Sequence, residues 1–151
     1  MRELILLRHA HADAAPLDGK DADRPLSERG RSEASHAAAR LLALGLVPDL
    51  VLFSPALRTR ETAEILRTAL GLPLQRFREA GALYLAGAAI LRTQIATVEP
   101  GVHRLMIIGH NPGLSELADE LNPQLGNTVL VNAGYVHASI GGAGWRGGAP
   151  A

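Results

Sequence analysis

Cysteine is absent from the sequence, and this absence removes several kinds of chemistry at once. Disulfide bonds, thiolate nucleophiles and zinc sites built on cysteine are all excluded. Aromatic residues are also scarce, at 3% of the 151 residues, although hydrophobic residues make up 47%. The hydrophobic core must therefore consist mainly of leucine, isoleucine, valine and alanine side chains.

The chain has neither an excess of charge nor a long apolar run. Its fifteen basic and fifteen acidic side chains cancel, which argues against a nucleic-acid or membrane-surface partner recognised through bulk charge. No apolar run approaches the length of a membrane span, and no signal peptide fits at the amino terminus. We therefore expect a cytoplasmic protein without nucleic-acid or membrane partners.

Apolar strands and amphipathic helices alternate along a chain whose length is that of one ordinary domain, residues 1–151. Residues 4–7 are four consecutive aliphatics, typical of a strand buried on both faces of a parallel sheet. Further strands are predicted at residues 49–53, 74–77, 104–108, 129–132 and 136–140, and helices at residues 27–44, 56–70, 88–98 and 114–121. The alternation predicts an α/β fold, a three-layer α/β/α sandwich with a mostly parallel central sheet. A glycine-rich tail from about residue 141 is expected to be an edge strand or disordered.

Three of the predicted strands end in polar residues of one chemical type. The first ends at Arg8 and His9, the second leads to Arg58 in the first turn of a helix, and the strand at 104–108 leads to His110. Because such strand ends meet at one edge of a parallel sheet, these side chains can converge where ligands of open α/β sheets bind. Guanidinium groups offer planar donors to phosphate oxygens, and a neutral imidazole offers a nucleophilic nitrogen. The pattern predicts a phosphate site, although each residue alone could be an ordinary polar side chain.

Four motifs carry a resemblance to a known family. They are LRHA at residues 7–10, RPLSERG at 24–30, SPALRTRETA at 54–63 and IGHNPG at 108–113. Their order and spacing resemble those of the histidine phosphatase superfamily, and within it the short phosphohistidine phosphatases of the SixA type. The resemblance implies a single histidine phosphatase domain with a phosphoglycerate-mutase-like fold. The chain has no room for the cap insertions of larger members, so an open pocket is expected.

The resemblance also implies roles for the four converging residues. His9 would be the nucleophile and would be phosphorylated transiently, Arg8 and Arg58 would clamp the phosphoryl oxygens, and His110 would be a further donor. No metal or other cofactor is implied, since these side chains supply the positive field that the transferred group needs. We expect a metal-independent phosphatase that dephosphorylates phosphohistidine in a protein. A phosphatase of a small phosphomonoester and a non-catalytic phosphate-binding module remain as alternatives, and the intact His9 favours turnover over binding alone.

The position of a general acid stays open. Family members that act on poor leaving groups carry a carboxylic acid after the third strand, where Glu79 lies. A different alignment through residues 83–84 places Ala82 at that position instead. The first motif also departs from the commonest family pattern, because Ala10 stands where glycine usually follows the histidine.

The long polar loop at residues 10–25 holds further candidates, since a loop of this length in a small domain is usually functional or mobile. His11 is either an additional wall of the pocket or an exposed loop residue. The loop carboxylates Asp13, Asp21 and Asp23 are interpreted as solubilising residues. A metal site formed by His9, His11 and Asp13 is disfavoured, because the neighbouring Arg8 would repel a cation.

Overall fold

The computed structural model describes residues 1–124, 126–142 and 144–146. Within these residues five strands form one sheet: β1 (Arg2–Arg8), β2 (Leu50–Phe53), β3 (Phe77–Glu79), β4 (Arg104–Gly109) and β5 (Tyr135–Ile140). Their order across the sheet is β3-β2-β4-β1-β5. Neighbours among β1 to β4 are parallel, and β5 runs antiparallel to β1 at the edge. The mostly parallel sheet predicted from the sequence is confirmed.

Helices cover both faces of this sheet. The described residues form α1 (Glu28–Ala43), α2 (Leu57–Leu70), α3 (Ala88–Ala96) and α4 (Gly113–Leu121). Leu4 and Leu6 of β1 belong to the core cluster that includes residues of α3 and α4, whereas Ile5 and Leu7 belong to the cluster of α1 and α2. This alternation follows from the two-residue period of a strand and explains why residues 4–7 are uniformly aliphatic. The three-layer α/β/α prediction is confirmed.

The helix that follows the long loop begins where the sequence indicates. The hydroxyl of Ser27 accepts a hydrogen bond from the backbone N–H of Gly30 at 3.0 Å, which caps the amino terminus of α1. At the end of α2, Gly71 adopts a left-handed conformation with φ of 66°, as a helix-terminating glycine commonly does. No helix of the described ranges has both the length and the apolar composition needed to cross a membrane.

Two predicted strands are wrong in position or in kind. Residues 74–76 form a short 3-10 turn, closed by a hydrogen bond from Arg76 N to Pro73 O at 3.1 Å, so β3 begins only at Phe77. Residues 129–132 form no strand, because the edge of β1 is occupied by β5. The backbone of Leu130 instead bonds to side chains, and it accepts from Arg8 at 3.1 Å. This stretch therefore supports the cleft described below rather than the sheet.

The tail from residue 141 contains a buried aromatic side chain. Trp145 is 1% exposed, and its indole N–H donates to Val102 O at 2.9 Å. Residues 141–142 and 144–146 form no strand, so the expected edge strand is not found there. The remaining residues of the glycine-rich tail, 143 and 147–151, lie outside the described residues.

Candidate active site

The four residues singled out by the sequence line one cleft at the carboxyl edge of the sheet. Arg8 ends β1, His9 follows it, Arg58 lies in the first turn of α2, and His110 follows β4. These side chains contribute to a cavity of about 370 Å³. They meet because β1, β4 and β2 are adjacent and parallel, so that their carboxyl ends lie side by side.

The ring of His9 is fixed in one orientation. Its Nδ1 lies 2.7 Å from the carbonyl oxygen of Ala10, and a carbonyl can only accept, so Nδ1 carries the hydrogen. Burial, and then the nearby charges of Arg58 and Arg8, lower the pKa of His9 to about 4. At neutral pH the ring is therefore uncharged, and Nε2 retains its lone pair.

The backbone after His9 is anchored to α2. The N–H of Ala10 donates to the hydroxyl of Thr62 at 3.1 Å, and that hydroxyl donates to the carbonyl oxygen of Arg58 at 2.7 Å. The methyl group of Ala10 is completely buried in a small apolar cluster that includes Leu26 and Ala133. An alanine in place of the usual glycine is thus accommodated by packing.

His110 faces His9 across the cleft, with ring centroids 5.4 Å apart. One ring nitrogen, Nε2, lies 2.7 Å from Ser54 Oγ, and the other, Nδ1, lies 3.3 Å from Arg58 Nη2. Burial, followed by the charge of Arg58, lowers the pKa of His110 to about 3. His110 is therefore neutral at physiological pH, like His9.

The buried guanidinium of Arg58 is held by the loop that follows β1. Its Nη1 donates to Asp21 O at 2.9 Å, and its Nη2 donates to the Asp21 carboxylate at 3.1 Å. The Tyr84 hydroxyl donates to the same carboxylate at 2.5 Å. These hydrogen bonds, that of Tyr84 first, lower the pKa of Asp21, which stays ionised. The interpretation of Asp21 as a solubilising residue is wrong, because Asp21 lines the cleft and its carboxylate binds Arg58 and Tyr84.

The remaining walls of the cleft include residues that sequence reasoning did not assign. They are His11, Arg24, Leu85, Asn111 and Asn132. His11 lines the cleft, so of its two interpretations the pocket wall is the one observed. Its Nδ1 lies 2.7 Å from Ser27 Oγ. Arg24 begins the RPLSERG motif, so its place in that motif could have identified it as a residue of the cleft. Asn132 and Tyr84 lie in segments whose sequence gives no such signal.

Glu79 does not contribute to the cleft lining. It ends β3 in an exposed ion pair with Arg60, at 3.1 Å. Among the other loop carboxylates, Asp23 accepts from the backbone of Lys20 at 2.9 Å, and Asp13 is exposed. A positively charged cleft with two neutral histidines is thus built mainly from the strand ends and the loop at residues 10–25.

Comparisons with known proteins agree with this geometry. The sequence profile of the histidine phosphatase superfamily (branch 1) matches residues 4–81. An uncharacterized chloroplastic protein of Arabidopsis thaliana is 35% identical over 149 residues, covering 91% of this chain and 66% of that protein. An uncharacterized protein of Picosynechococcus is 36% identical over 120 residues, covering 79% of this chain and 72% of its own length.

Solved structures share the fold. The Agrobacterium tumefaciens protein assigned as the phosphohistidine phosphatase SixA superposes with a TM-score of 0.83 at 27% identity, and 92% of each chain is covered. A protein histidine phosphatase SixA complexed with tungstate superposes with a TM-score of 0.81 at 24% identity, covering 91% of this chain and 88% of that one. With the profile match over about half of its residues, this chain belongs to the histidine phosphatase superfamily, branch 1.

Proposed function

We propose that this protein is a phosphatase that acts through a phosphohistidine intermediate on His9. The observation that carries this proposal is the fixed, neutral ring of His9. Its Nδ1–H is bound to Ala10 O, and its Nε2 is free to attack beside the guanidinium groups of Arg8 and Arg58. A ring held in this tautomer needs no base to activate it.

In the first step, Nε2 of His9 attacks the phosphorus atom, and the bond from phosphorus to the leaving group breaks. Charge on the three equatorial oxygens is stabilised by fixed donors, for which Arg8 and Arg58 are the candidates. Arg58 is 3% exposed, so its charge acts with little screening by water. Two of its donors now bind Asp21, and the phosphoryl group would share or replace these contacts.

In the second step, water attacks the phosphorus of the phosphoenzyme, and the P–N bond breaks. Inorganic phosphate leaves, and His9 regains its lone pair. Dividing hydrolysis into two displacements lets one pair of arginines stabilise both transition states. Independence from metal ions is part of the proposal, because the cationic side chains supply the required field.

Phosphohistidine in a protein is the substrate class that fits this cleft best. Imidazole has a reference pKa of about 6.5 and leaves readily, whereas an alkoxide needs a proton from a general acid. The lowered pKa of Asp21 makes it a poor acid, and Glu79 is paired with Arg60 outside the cleft lining. The reaction therefore favours good leaving groups. A cytoplasmic location goes with this proposal as an expectation from the sequence.

One contact favours a second candidate, a phosphatase of small phosphomonoesters. The Tyr84 hydroxyl reaches the cleft wall, where it donates to Asp21 at 2.5 Å. The Tyr84 ring also packs nearly perpendicular to the ring of His110, with ring centroids 5.6 Å apart. A hydroxyl at this point could deliver a proton to an alkoxide, either directly or through water.

The test is a substrate panel. We would measure kcat/KM for a phosphohistidine protein, an aryl phosphate and an alkyl phosphate, with and without a chelator, in wild type, His9→Ala and Glu79→Gln. The proposal predicts activity on the first two substrates that is insensitive to chelator, unchanged in Glu79→Gln and absent in His9→Ala.

Each contrary result has one meaning. Fast alkyl phosphate hydrolysis would select the small-ester candidate, and its collapse in Glu79→Gln would make Glu79 the acid. Tight phosphate binding without turnover of any substrate would indicate a binding module. Activity that survives in His9→Ala would remove the covalent mechanism.

A further inference from the structure

Ser54 is a completely buried hydroxyl that the proposed reaction does not use. It follows β2 directly and is 0% exposed. Its Oγ accepts a hydrogen bond from the backbone N–H of Ala56 at 3.3 Å and lies 2.7 Å from His110 Nε2. Ser54 therefore sits behind His110, on the side of the ring away from Arg58.

The hydrogen bonds of His110 can be completed in two ways, because a neutral imidazole has one donor and one acceptor nitrogen. In the first arrangement, Nε2–H donates to Ser54 Oγ, and Nδ1 accepts from Arg58 Nη2, 3.3 Å away. Ser54 Oγ then accepts two hydrogen bonds. Its own hydrogen has no further acceptor within bonding distance among the described residues.

In the second arrangement, Ser54 Oγ–H donates to Nε2, and Nδ1 carries the hydrogen. The buried hydroxyl is then fully satisfied. However, Nδ1–H and Arg58 Nη2 are now two donors facing each other at 3.3 Å. Such a pair is favourable only when an acceptor, such as the oxygen of an anion, lies between them.

The relative strength of these contacts decides which arrangement holds in each state. A hydrogen bond from a charged guanidinium is roughly twice as strong as a neutral one. The empty cleft therefore favours the first arrangement, in which Arg58 Nη2 has His110 Nδ1 as an acceptor and the hydrogen of the neutral Ser54 hydroxyl has none. With an oxyanion in the cleft, both donors find an acceptor, and the second arrangement completes the bonding of Ser54 as well.

We propose that binding of a phosphoryl oxyanion changes the tautomer of His110 from Nε2–H to Nδ1–H, with the Ser54 hydroxyl turning from acceptor to donor. One proton leaves Nε2 and one is taken up at Nδ1 by exchange with water, so the ring stays neutral. Ser54 is thus a positioning residue, which aims a donor at the phosphoryl group through His110. This inference rests on the proposed oxyanion site.

The test uses the intact protein labelled with 15N-histidine, observed by NMR at neutral pH with and without tungstate as the oxyanion. We expect the free protein to show the Nε2–H tautomer of His110 and the tungstate complex to show Nδ1–H. The same tautomer in both states, or a doubly protonated ring in the complex, would overturn the inference.

Variants test the role of Ser54 independently. Removing the hydroxyl in Ser54→Ala should weaken tungstate binding by about tenfold, the value for one neutral hydrogen bond. Ser54→Thr keeps the hydroxyl and should retain the wild-type affinity, and Ser35→Ala, at an exposed position of α1, is the matched control. Unchanged tungstate binding in a folded Ser54→Ala protein would contradict the inference.

The tungstate experiment requires no turnover, so the two proposals fail separately. A tautomer change in a protein without phosphatase activity would support the role of Ser54 and remove the proposed function. An active phosphatase in which His110 keeps one tautomer would remove only the role of Ser54.

Discussion

The charges beside His9 have two effects on it. Together with burial, which is the larger cause, Arg58 and Arg8 lower the pKa of His9 and so keep Nε2 unprotonated. The same guanidinium groups attract the phosphoryl group that Nε2 would attack. A lower pKa also weakens an imidazole as a nucleophile, but attraction and fixed orientation of the reactants offset this loss.

Two arginines of α2, Arg58 and Arg60, lie in different environments and allow a direct comparison. Arg58 is buried in the cleft, whereas Arg60, two residues further on, forms an exposed ion pair with Glu79. We expect Arg58→Ala to lower kcat/KM. The activation free energy should rise by on the order of 2–4 kcal/mol, the range for the loss of one preorganised donor. Arg60→Ala should change it little, because surface ion pairs contribute about 0–1 kcal/mol. Steady-state kinetics on an aryl phosphate measures both, and equal losses would show that Arg58 has no special role.

At the scale of elements, the start of α1 is fitted tightly against the loop that follows β1. A Cβ atom on Gly30 would lie 2.0 Å from the carbonyl oxygen of His11, far inside van der Waals contact. That same carbonyl accepts from the backbone N–H of Ser27 at 3.0 Å. The helix terminus and the loop therefore fix each other, and the loop in turn forms the wall of the cleft.

Gly30→Ala should accordingly affect both stability and activity. We expect the free energy of unfolding to fall by about 1–3 kcal/mol, as is typical when backbone must shift to relieve overpacking, and kcat/KM to fall with it. Urea unfolding and aryl phosphate kinetics measure the two effects. The control is Gly81→Ala, since nothing lies within 4 Å of a Cβ there. A Gly30→Ala protein as stable as that control would contradict the packing described here.

Elements with a strong local pattern were predictable from the sequence, and those defined by tertiary contacts were not. The β1 and β4 strands are continuous aliphatic runs, and Arg8, His9 and His110 mark their ends, so their convergence followed from parallel pairing. The β3 strand was misplaced because Pro73 starts a turn that the apolar pattern does not reveal. Asp21, Tyr84 and Ser54 were missed because only folding brings a loop carboxylate, a phenol and a hydroxyl to Arg58 and His110.

At the scale of the whole molecule, two buried neutral histidines make stability depend on pH. The pKa is about 4 for His9 and about 3 for His110 in the folded protein, against about 6.5 in the unfolded chain. Between pH 6.5 and 4 the unfolded state thus binds more protons than the folded state. The free energy of unfolding must therefore fall as the pH decreases through this window.

Substitution of single histidines shows how much of the pH dependence of stability comes from His9. Urea unfolding at pH 7, 6 and 5 should show a steeper loss of stability in wild type than in His9→Ala, by up to roughly 1.4 kcal/mol per pH unit. His36→Ala removes an exposed histidine of α1 and should keep the wild-type slope. Identical slopes in wild type and His9→Ala would mean that His9 is not held neutral by the fold.

The central claim is that His9 Nε2 carries the phosphoryl group during turnover. The most direct measurement is rapid mixing with a phosphorylated substrate, quenching in alkali, where phosphohistidine survives, and mass spectrometry of the peptide that contains residue 9. We predict one phosphoryl group on His9 in wild type, assigned to Nε2 by 31P and 15N NMR, and none in His9→Ala. A phosphoryl group on any other residue, or continued turnover with none on His9, would contradict the account.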